Sequence, residues 1–404
     1  MLYSAYQWQS DMIEPLRRAA GLAIAVLRPL RELPGFGGLA PIGAAWEMLA
    51  RAGLTHERPH YGIGQIRVGG RDIQVTEEVF CATPFGTLLR FKKKIKASQP
   101  RVLVVAPLSG HFATLLRGTV QTLLLDYDVF LTDWHNARDI PVAAGRFGFD
   151  EYVEHIIGFL EAVGPGSHMI AVCQPCVHAL AAVAIMAEDK HPAQPRSMTL
   201  MAGPVDTRVN PTKVNALANE KSIDWFERHL ISAVPARHKG GGRRVYPGFV
   251  QISAFVAMKA VRHARAHREL FTHLLNGDTE KSETFKAFYD EYFAVFDLPE
   301  EFFLETVAKV FQDAALAKGE LTYQGRTVNP GAIKRTLLLT VEGERDDICA
   351  PGQTAAAHDL CTGLKPHMKS HHRQAGVGHY GVFSGRRWEA EVFPVVRKFI
   401  QSTG

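Results

Sequence analysis

The residues best suited to chemistry lie in Met169-Ile170-Ala171-Val172-Cys173-Gln174-Pro175-Cys176. An apolar strand pattern there runs straight into a helical one, with Cys173 at the junction. A sharp strand-to-helix turn lifts a nucleophile clear of a sheet, and it tolerates only compact side chains two residues to either side. Around Cys173 those neighbours are Ala171 and Pro175; around Cys176 they would be the bulkier, polar Gln174 and His178. Sterics therefore favour Cys173. Pro175 suits a first helical turn, where its missing N–H costs nothing, and the positive end of the helix favours a thiolate.

A thiol nucleophile needs a base, and the base needs a group to fix its tautomer. The strand-like TLLLTVEG is followed by Glu344-Arg345-Asp346-Asp347-Ile348, which puts carboxylates on a loop beyond a strand end. Further on, Gly376-Val377-Gly378-His379-Tyr380-Gly381 sets a histidine in a glycine-flanked loop. Nucleophile, acid and histidine thus follow the chain order of one known triad arrangement. The residues alone leave Asp346 and Asp347 equivalent. His178, His371 and His372 are rival bases without such a loop. An oxyanion would be held by the backbone N–H of Gln174 and by a second N–H from Pro107-Leu108-Ser109-Gly110-His111, with Leu108 and Ser109 as candidates. The ordinary alternative there is a turn capped by Ser109. For the two cysteines the alternatives are a redox CxxC, half a zinc site, or two plain buried thiols. The redox fold is smaller than the sheet read below, and no second CxxC completes a zinc site.

Stepping outward, the elements that must position these groups are legible as period changes. Residues 1–55 read as a helical N-terminal extension broken at LPGFGG, packing on the body or meeting an apolar particle. YGIGQIRV, DIQVTEEVF and GTLLRFKK read as antiparallel strands. RVLVVAPL, DVFLTDW, HMIAVC and SMTLMAGP then alternate with helical stretches, as a parallel sheet covered on both faces requires. Residues 205–332 read as a mostly helical, aromatic-rich cap insertion. Alternation resumes with RTLLLTVEG, a helix at GQTAAAHDLC, a weak strand near HMKSHHR and a final helix RRWEAEVFPVVRKFIQ. The expected class is α/β, with the α/β-hydrolase fold: a core at 56–204 and 333–404, and a cap at 205–332. The aromatics Trp225 and Tyr246 are candidates to line a substrate cleft in that cap, although cap aromatics ordinarily pack its own core.

Composition bounds the functions. The chain has 404 residues, 46% hydrophobic and 22% charged, which excludes disordered, collagen-like and disulfide-scaffold classes. Length alone predicts two or three units of about 150 residues. The net charge of +5 is spread without a dense basic tract, so no nucleic-acid partner is expected. No second CxxC completes a zinc site with Cys173 and Cys176, so no metal or other cofactor is expected. Five cysteines, an odd number, argue against a secreted disulfide framework. The apolar run AAGLAIAVL after Arg17-Arg18 is short against the about 20 residues of a membrane span, and it lacks a cleavage pattern. A cytoplasmic protein without a transmembrane segment is expected; the oligomeric state stays open, a homodimer included.

VLVVAPLSGH, TDW, VCQPCV, GRRVYPGF, VEGERDDI, GQTAAAHDLC and GHYGVFSGRRW, with the opening MLYSAYQWQS, resemble the intracellular poly(3-hydroxybutyrate) depolymerases of polyester-storing bacteria. The resemblance covers essentially the whole chain; polyhydroxyalkanoate synthases are more distantly similar. It implies a thiol-dependent hydrolase of amorphous storage polyester, acting at cytoplasmic granules. It maps that family's nucleophile to Cys173, its acid to Asp346 and its base to His379. Alternatives are a granule-binding protein without catalysis, an acyltransferase working in the synthetic direction, and an esterase of small soluble esters.

Overall fold

The computed structural model describes residues 2–31, 37–95, 98–258 and 260–403. Most of the break expected at LPGFGG lies outside the described residues.

Two glycines with positive φ, Gly69 and Gly70, turn β1 (Gln65–Val68) back onto β2 (Arg71–Ala82), which pairs with β3 (Gly86–Lys93). These three strands are antiparallel and form one side of a nine-stranded sheet. Next in sequence come β4 (Arg101–Val105), β5 (Asp128–Trp134), β6 (His168–Val172) and β7 (Ser197–Met201). Three short strands then pair in the insertion: β8 (Ser232–Ala233), β9 (Arg244–Tyr246) and β10 (Leu298–Pro299). A two-stranded ribbon of β11 (Thr322–Tyr323) and β12 (Arg326–Thr327) follows. The main sheet closes with β13 (Leu337–Gly343) and β14 (Lys369–Gln374), giving the order β1-β2-β3-β5-β4-β6-β7-β13-β14. From β5 to β14 neighbouring strands are parallel.

The apolar runs are continuous because the central strands are buried on both faces. Leu103 and Val105 of β4, with Met169 and Ala171 of β6, feed one core; Val102, Val104, Ile170 and Val172 feed the other. The first core is covered by α4 (Phe149–Val163) and α5 (Cys176–Glu188). The second is covered by α3 (Arg117–Leu123) and, at the chain's end, α15 (Phe393–Gln401).

Two helices precede the sheet, α1 (Leu2–Arg31) and α2 (Ala40–Ala50). The insertion between β7 and β13 carries α6 (Lys213–Glu220), α7 (Ile223–Leu230), α8 (Gly248–Met258), α9 (Ala260–Asn276), α10 (Thr279–Tyr292), α11 (Glu300–Thr306) and α12 (Ala315–Lys318). It shares the first core through Tyr246, Phe296, Leu298 and Phe302.

Three expected helices differ in extent. GQTAAAHDLC is mostly turns, with only α13 (Ala357–Leu360) helical. The turns are held because the buried Glu342 carboxylate accepts the N–H groups of Gly352, Thr354 and Ala355. HFATLLRGTVQTLLLDY is helical only over Ala113–Leu123, first as a 3-10 turn. The last helix is α14 (Gly385–Arg387), a π-helical turn over Trp388–Val392, and α15.

Asp297 joins three parts of the chain. Its carboxylate accepts the Tyr3 hydroxyl of α1 (2.6 Å) and the Gly248 N–H of α8 (2.9 Å), while its backbone is bonded to Asn136 and Ala137. Burial raises its pKa to about 6, although both hydrogen bonds oppose the shift. The native state therefore holds this proton more tightly than the unfolded chain. Asp297 contributes stability that is full below about pH 4 and lost as pH rises through about 6. Asp297→Asn removes that dependence. Urea unfolding of both proteins should show the variant gaining up to about 3 kcal/mol relative to wild type between pH 4 and 7; a constant difference would contradict the shift.

Candidate active site

Strand β6 passes into α5 within three residues, and Cys173 takes up the turn with φ of +69°. A non-glycine residue in that region is strained. Neighbours fix it there: its N–H donates to the Met201 carbonyl of β7 at 2.7 Å, and its carbonyl accepts the Cys176 N–H at 3.1 Å. Cys173 is only partly buried. Cys176 lies one turn on, fully buried, with its thiol on the Ala171 and Met201 carbonyls. Burial, with Cys173 nearby, pushes that thiol's pKa well up, so it stays protonated.

Packing behind the turn comes from a residue the sequence reading missed. A Cβ added to Gly203 would sit 2.2 Å from Cys176 Cβ and Sγ and 2.8 Å from the Cys173 carbonyl oxygen. Gly203 is held by Thr354, whose hydroxyl bonds both its N–H and its carbonyl. Thr354 is in turn fixed by Glu342. The available signal was a lone carboxylate inside the apolar run TLLLTVEG.

The loop beyond β13 carries Asp346 fully inward. One oxygen accepts the N–H groups of Ile348 and Cys349, both at 2.9 Å; the other meets His379 Nδ1 at 2.7 Å. Asp347 is exposed. Backbone bonds from Glu344 to Gln374 and from Arg345 to Val377 zip this loop to the one bearing His379. His379 begins a 3-10 turn (His379–Val382) rather than an irregular loop. Its ring also lies close enough to Cys173 for the two to interact electrostatically. Burial alone would lower the imidazole's pKa, but Cys173 and Asp346 outweigh it and hold the ring well above the usual histidine range.

The rival bases are committed elsewhere. His178 is buried among Phe149, Tyr152 and Phe302, and burial lowers its pKa to about 3. His371 bonds Thr340, and His372 bonds Gln374.

Leu108 and Ser109 follow β4 on a loop fixed from both sides. Beneath it, the Ala106 carbonyl accepts Trp134 Nε1 and the Tyr152 hydroxyl. Above it, Gln251 of α8 donates to the Ser109 carbonyl, Phe296 N–H donates to the Gly110 carbonyl, and His111 bonds the Tyr292 carbonyl. Gly110 has φ of +82°, and a Cβ there would run into the Gln251 side chain. Ser109 caps no helix; the following 3-10 turn starts after Phe112 without a side-chain cap. Gln174 is buried, and its side-chain amide has no protein partner among the described residues.

Trp225 and Tyr246 are not brought to this constellation by any described contact. Trp225 stacks on His229 and packs with Phe226; Tyr246 is buried against Phe303, ring centroids 3.9 Å apart. No group of three or more His, Cys, Asp or Glu side chains among the described residues is arranged to hold a metal ion.

A mostly parallel sheet with helices on both faces, and a strained residue where a central strand turns into a helix, define an α/β-hydrolase. The family model described as PHB de-polymerase C-terminus matches residues 202–404, half of the chain. The chain belongs to that poly(3-hydroxybutyrate) depolymerase family and is an ester hydrolase of its type. No curated protein matches it. Among solved structures it is similar to a monoacylglycerol lipase of Paleococcus ferrophilus (14% identity, 78% of this chain and 99% of that one, TM-score 0.41). It is also similar to a thermophilic esterase of Thermogutta terrifontis (12%, 82% and 99%, 0.42). A third is the 2-hydroxy-6-oxo-6-phenylhexa-2,4-dienoate hydrolase of Rhodococcus sp. strain RHA1 (12%, 81% and 99%, 0.43). The fold assignment rests on the strand order and the turn.

Gly203→Ala tests the packing behind that turn. The added methyl has no room, so equilibrium unfolding should show a loss of about 1–3 kcal/mol. Unchanged stability would mean the close approach is not there.

Proposed function

We propose that the enzyme hydrolyses the ester bonds of amorphous poly(3-hydroxybutyrate) through a Cys173–His379–Asp346 triad. The observation that carries this reading is the Asp346–His379 pair reaching Cys173, which sits in a left-handed conformation at the strand-to-helix turn.

His379 takes the Cys173 proton, and Sγ attacks an ester carbonyl carbon of the polymer. Asp346, oriented by two backbone N–H groups, holds Nδ1 so that Nε2 faces the thiol and stabilises the imidazolium. The oxyanion lies against the backbone N–H groups of Gln174 and of Leu108 or Ser109, none of which donates to a protein acceptor among the described residues. The tetrahedral intermediate collapses, His379 protonates the departing alkoxide, and a shortened chain leaves a 3-hydroxyacyl thioester on Cys173. Water, deprotonated by the same histidine, attacks the thioester; the acid departs and the thiol takes back its proton. The products are 3-hydroxybutyrate and its oligomers.

The place of action in this reading is inside the cell, at polyester storage granules. All five cysteines are unpaired, which suits a thiol enzyme in a reducing compartment. Trp225 and Tyr246 belong to the packing of the cap in this reading, and Ala at either should leave polymer turnover intact.

The experiment is release of soluble 3-hydroxybutyrate from amorphous granules. Cys173→Ala should lose activity by a factor on the order of 10³ or more, and Asp346→Asn by about 10⁴. Cys176→Ala should retain it. Loss in Cys176→Ala with activity kept in Cys173→Ala would move the nucleophile; no release by wild type would refute the polyester reading. Polymer growth with CoA release from a hydroxyacyl-CoA would make the enzyme an acyltransferase instead.

A further inference from the structure

Helix α1 has two unlike faces. Tyr3, Tyr6, Arg17 and Ala20 face the body: Tyr3 bonds Asp297, Tyr6 stacks on Phe249 with ring centroids 4.0 Å apart, Arg17 reaches the Ala50 carbonyl, and Ala20 is fully buried. Opposite them stand Trp8, Met12, Leu16, Leu22 and Val26, exposed by 68%, 61%, 50%, 71% and 63%. At 3.6 residues per turn these five fall within a sector of about 120° and run about 27 Å along the axis. Between Ser4 and Val26 that sector holds no charged residue. The charges at its margin are paired, Asp11 with Arg237 and Arg18 with Glu14. An amphipathic helix ordinarily turns its apolar stripe inward; here a second stripe remains in water after the first is packed.

We propose that this stripe is the docking surface by which the enzyme lies on solid polyester, an inference that rests on the polyester reading above. A bulk polyester presents an uncharged surface of methyl and methylene groups with ester carbonyls, acceptors without donors. A charge-free ridge of aliphatic side chains matches it, and the Trp8 indole N–H supplies a donor to a carbonyl. Contiguous exposed apolar ground of this kind on a soluble monomer marks an interaction site. Five exposed side chains on one helix are few against the about 20–30 residues a side of a standard protein–protein face, so a second copy of the chain is the poorer occupant. The ridge is convex and one helix wide, which suits a deformable surface. The anchor at Asp297 ties the docked helix to α8, whose Gln251 holds the loop beside Cys173.

The test compares wild type, a variant combining Trp8→Ser, Leu16→Ser and Leu22→Ser, and Cys173→Ala. Each is sedimented with amorphous poly(3-hydroxybutyrate) particles, assayed on particles and on soluble p-nitrophenyl butyrate, and sized in solution. The triple variant should bind particles at least tenfold more weakly, and its ratio of particle to soluble-ester turnover should fall by a similar factor. Cys173→Ala should sediment like wild type while hydrolysing neither substrate. Particle binding by the triple variant equal to wild type would overturn the proposal. So would a wild-type dimer that the substitutions make monomeric with particle binding unchanged. If wild type binds but does not cleave particles and the triple variant loses binding, the docking surface stands and polyester hydrolysis falls.

Discussion

The site depends on one backbone constraint, the left-handed turn at Cys173. Leaving β6 for α5 in three residues aims Sγ out of the sheet, and no non-glycine residue adopts that φ without cost. The surroundings hold it there through the Met201 carbonyl on β7, the close approach of Gly203, and the Glu342–Thr354 chain behind Gly203. These groups come from β7, from β13 one strand further on, and from the loops that follow them. The parallel sheet is thus what makes the strain affordable, and the reactive group lies at the sheet's carboxyl edge because the turn can be braced only there.

The same sheet edge supplies the other two groups. β13 ends two strands from β6, and the loops carrying Asp346 and His379 are zipped together by backbone bonds before either side chain is considered. Asp346 is further fixed by two N–H donors. The cap contributes differently: it shares the core and clamps the loop of Leu108 and Ser109 from above. It is therefore part of the same packed body rather than a separate lid. α1 reaches that body through the buried carboxylate of Asp297, the Phe249 ring against Tyr6 and the Asp11–Arg237 pair.

Much of this was legible in the chain. The apolar runs announced the parallel strands because strands buried on both faces have no polar row to interrupt them. Cys173 was separable from Cys176 by the size of the residues two places away, and the structure adds that Cys176 is sealed in the core. Asp346 and Asp347 were equivalent in sequence because nothing local distinguishes adjacent carboxylates on a loop; their separation is tertiary, set by where His379 stands. Gly203 and Thr354 were illegible for the same reason, being small residues whose importance lies in what approaches them. GQTAAAHDLC read as a helix by composition, and its turns are imposed by Glu342 from another strand. The aromatics Trp225 and Tyr246 were open by type to a cleft or to the cap's own packing, and type alone does not choose; their described ring contacts are with cap neighbours.

The most direct measurement is tandem mass spectrometry of enzyme quenched in acid during turnover of a soluble 3-hydroxybutyrate oligoester. A 3-hydroxybutyryl thioester is expected on Cys173, with fragment ions separating it from Cys176 in the same peptide. Acylation of Cys176, or of a hydroxyl side chain with Cys173 unmodified, would contradict Cys173 as the nucleophile.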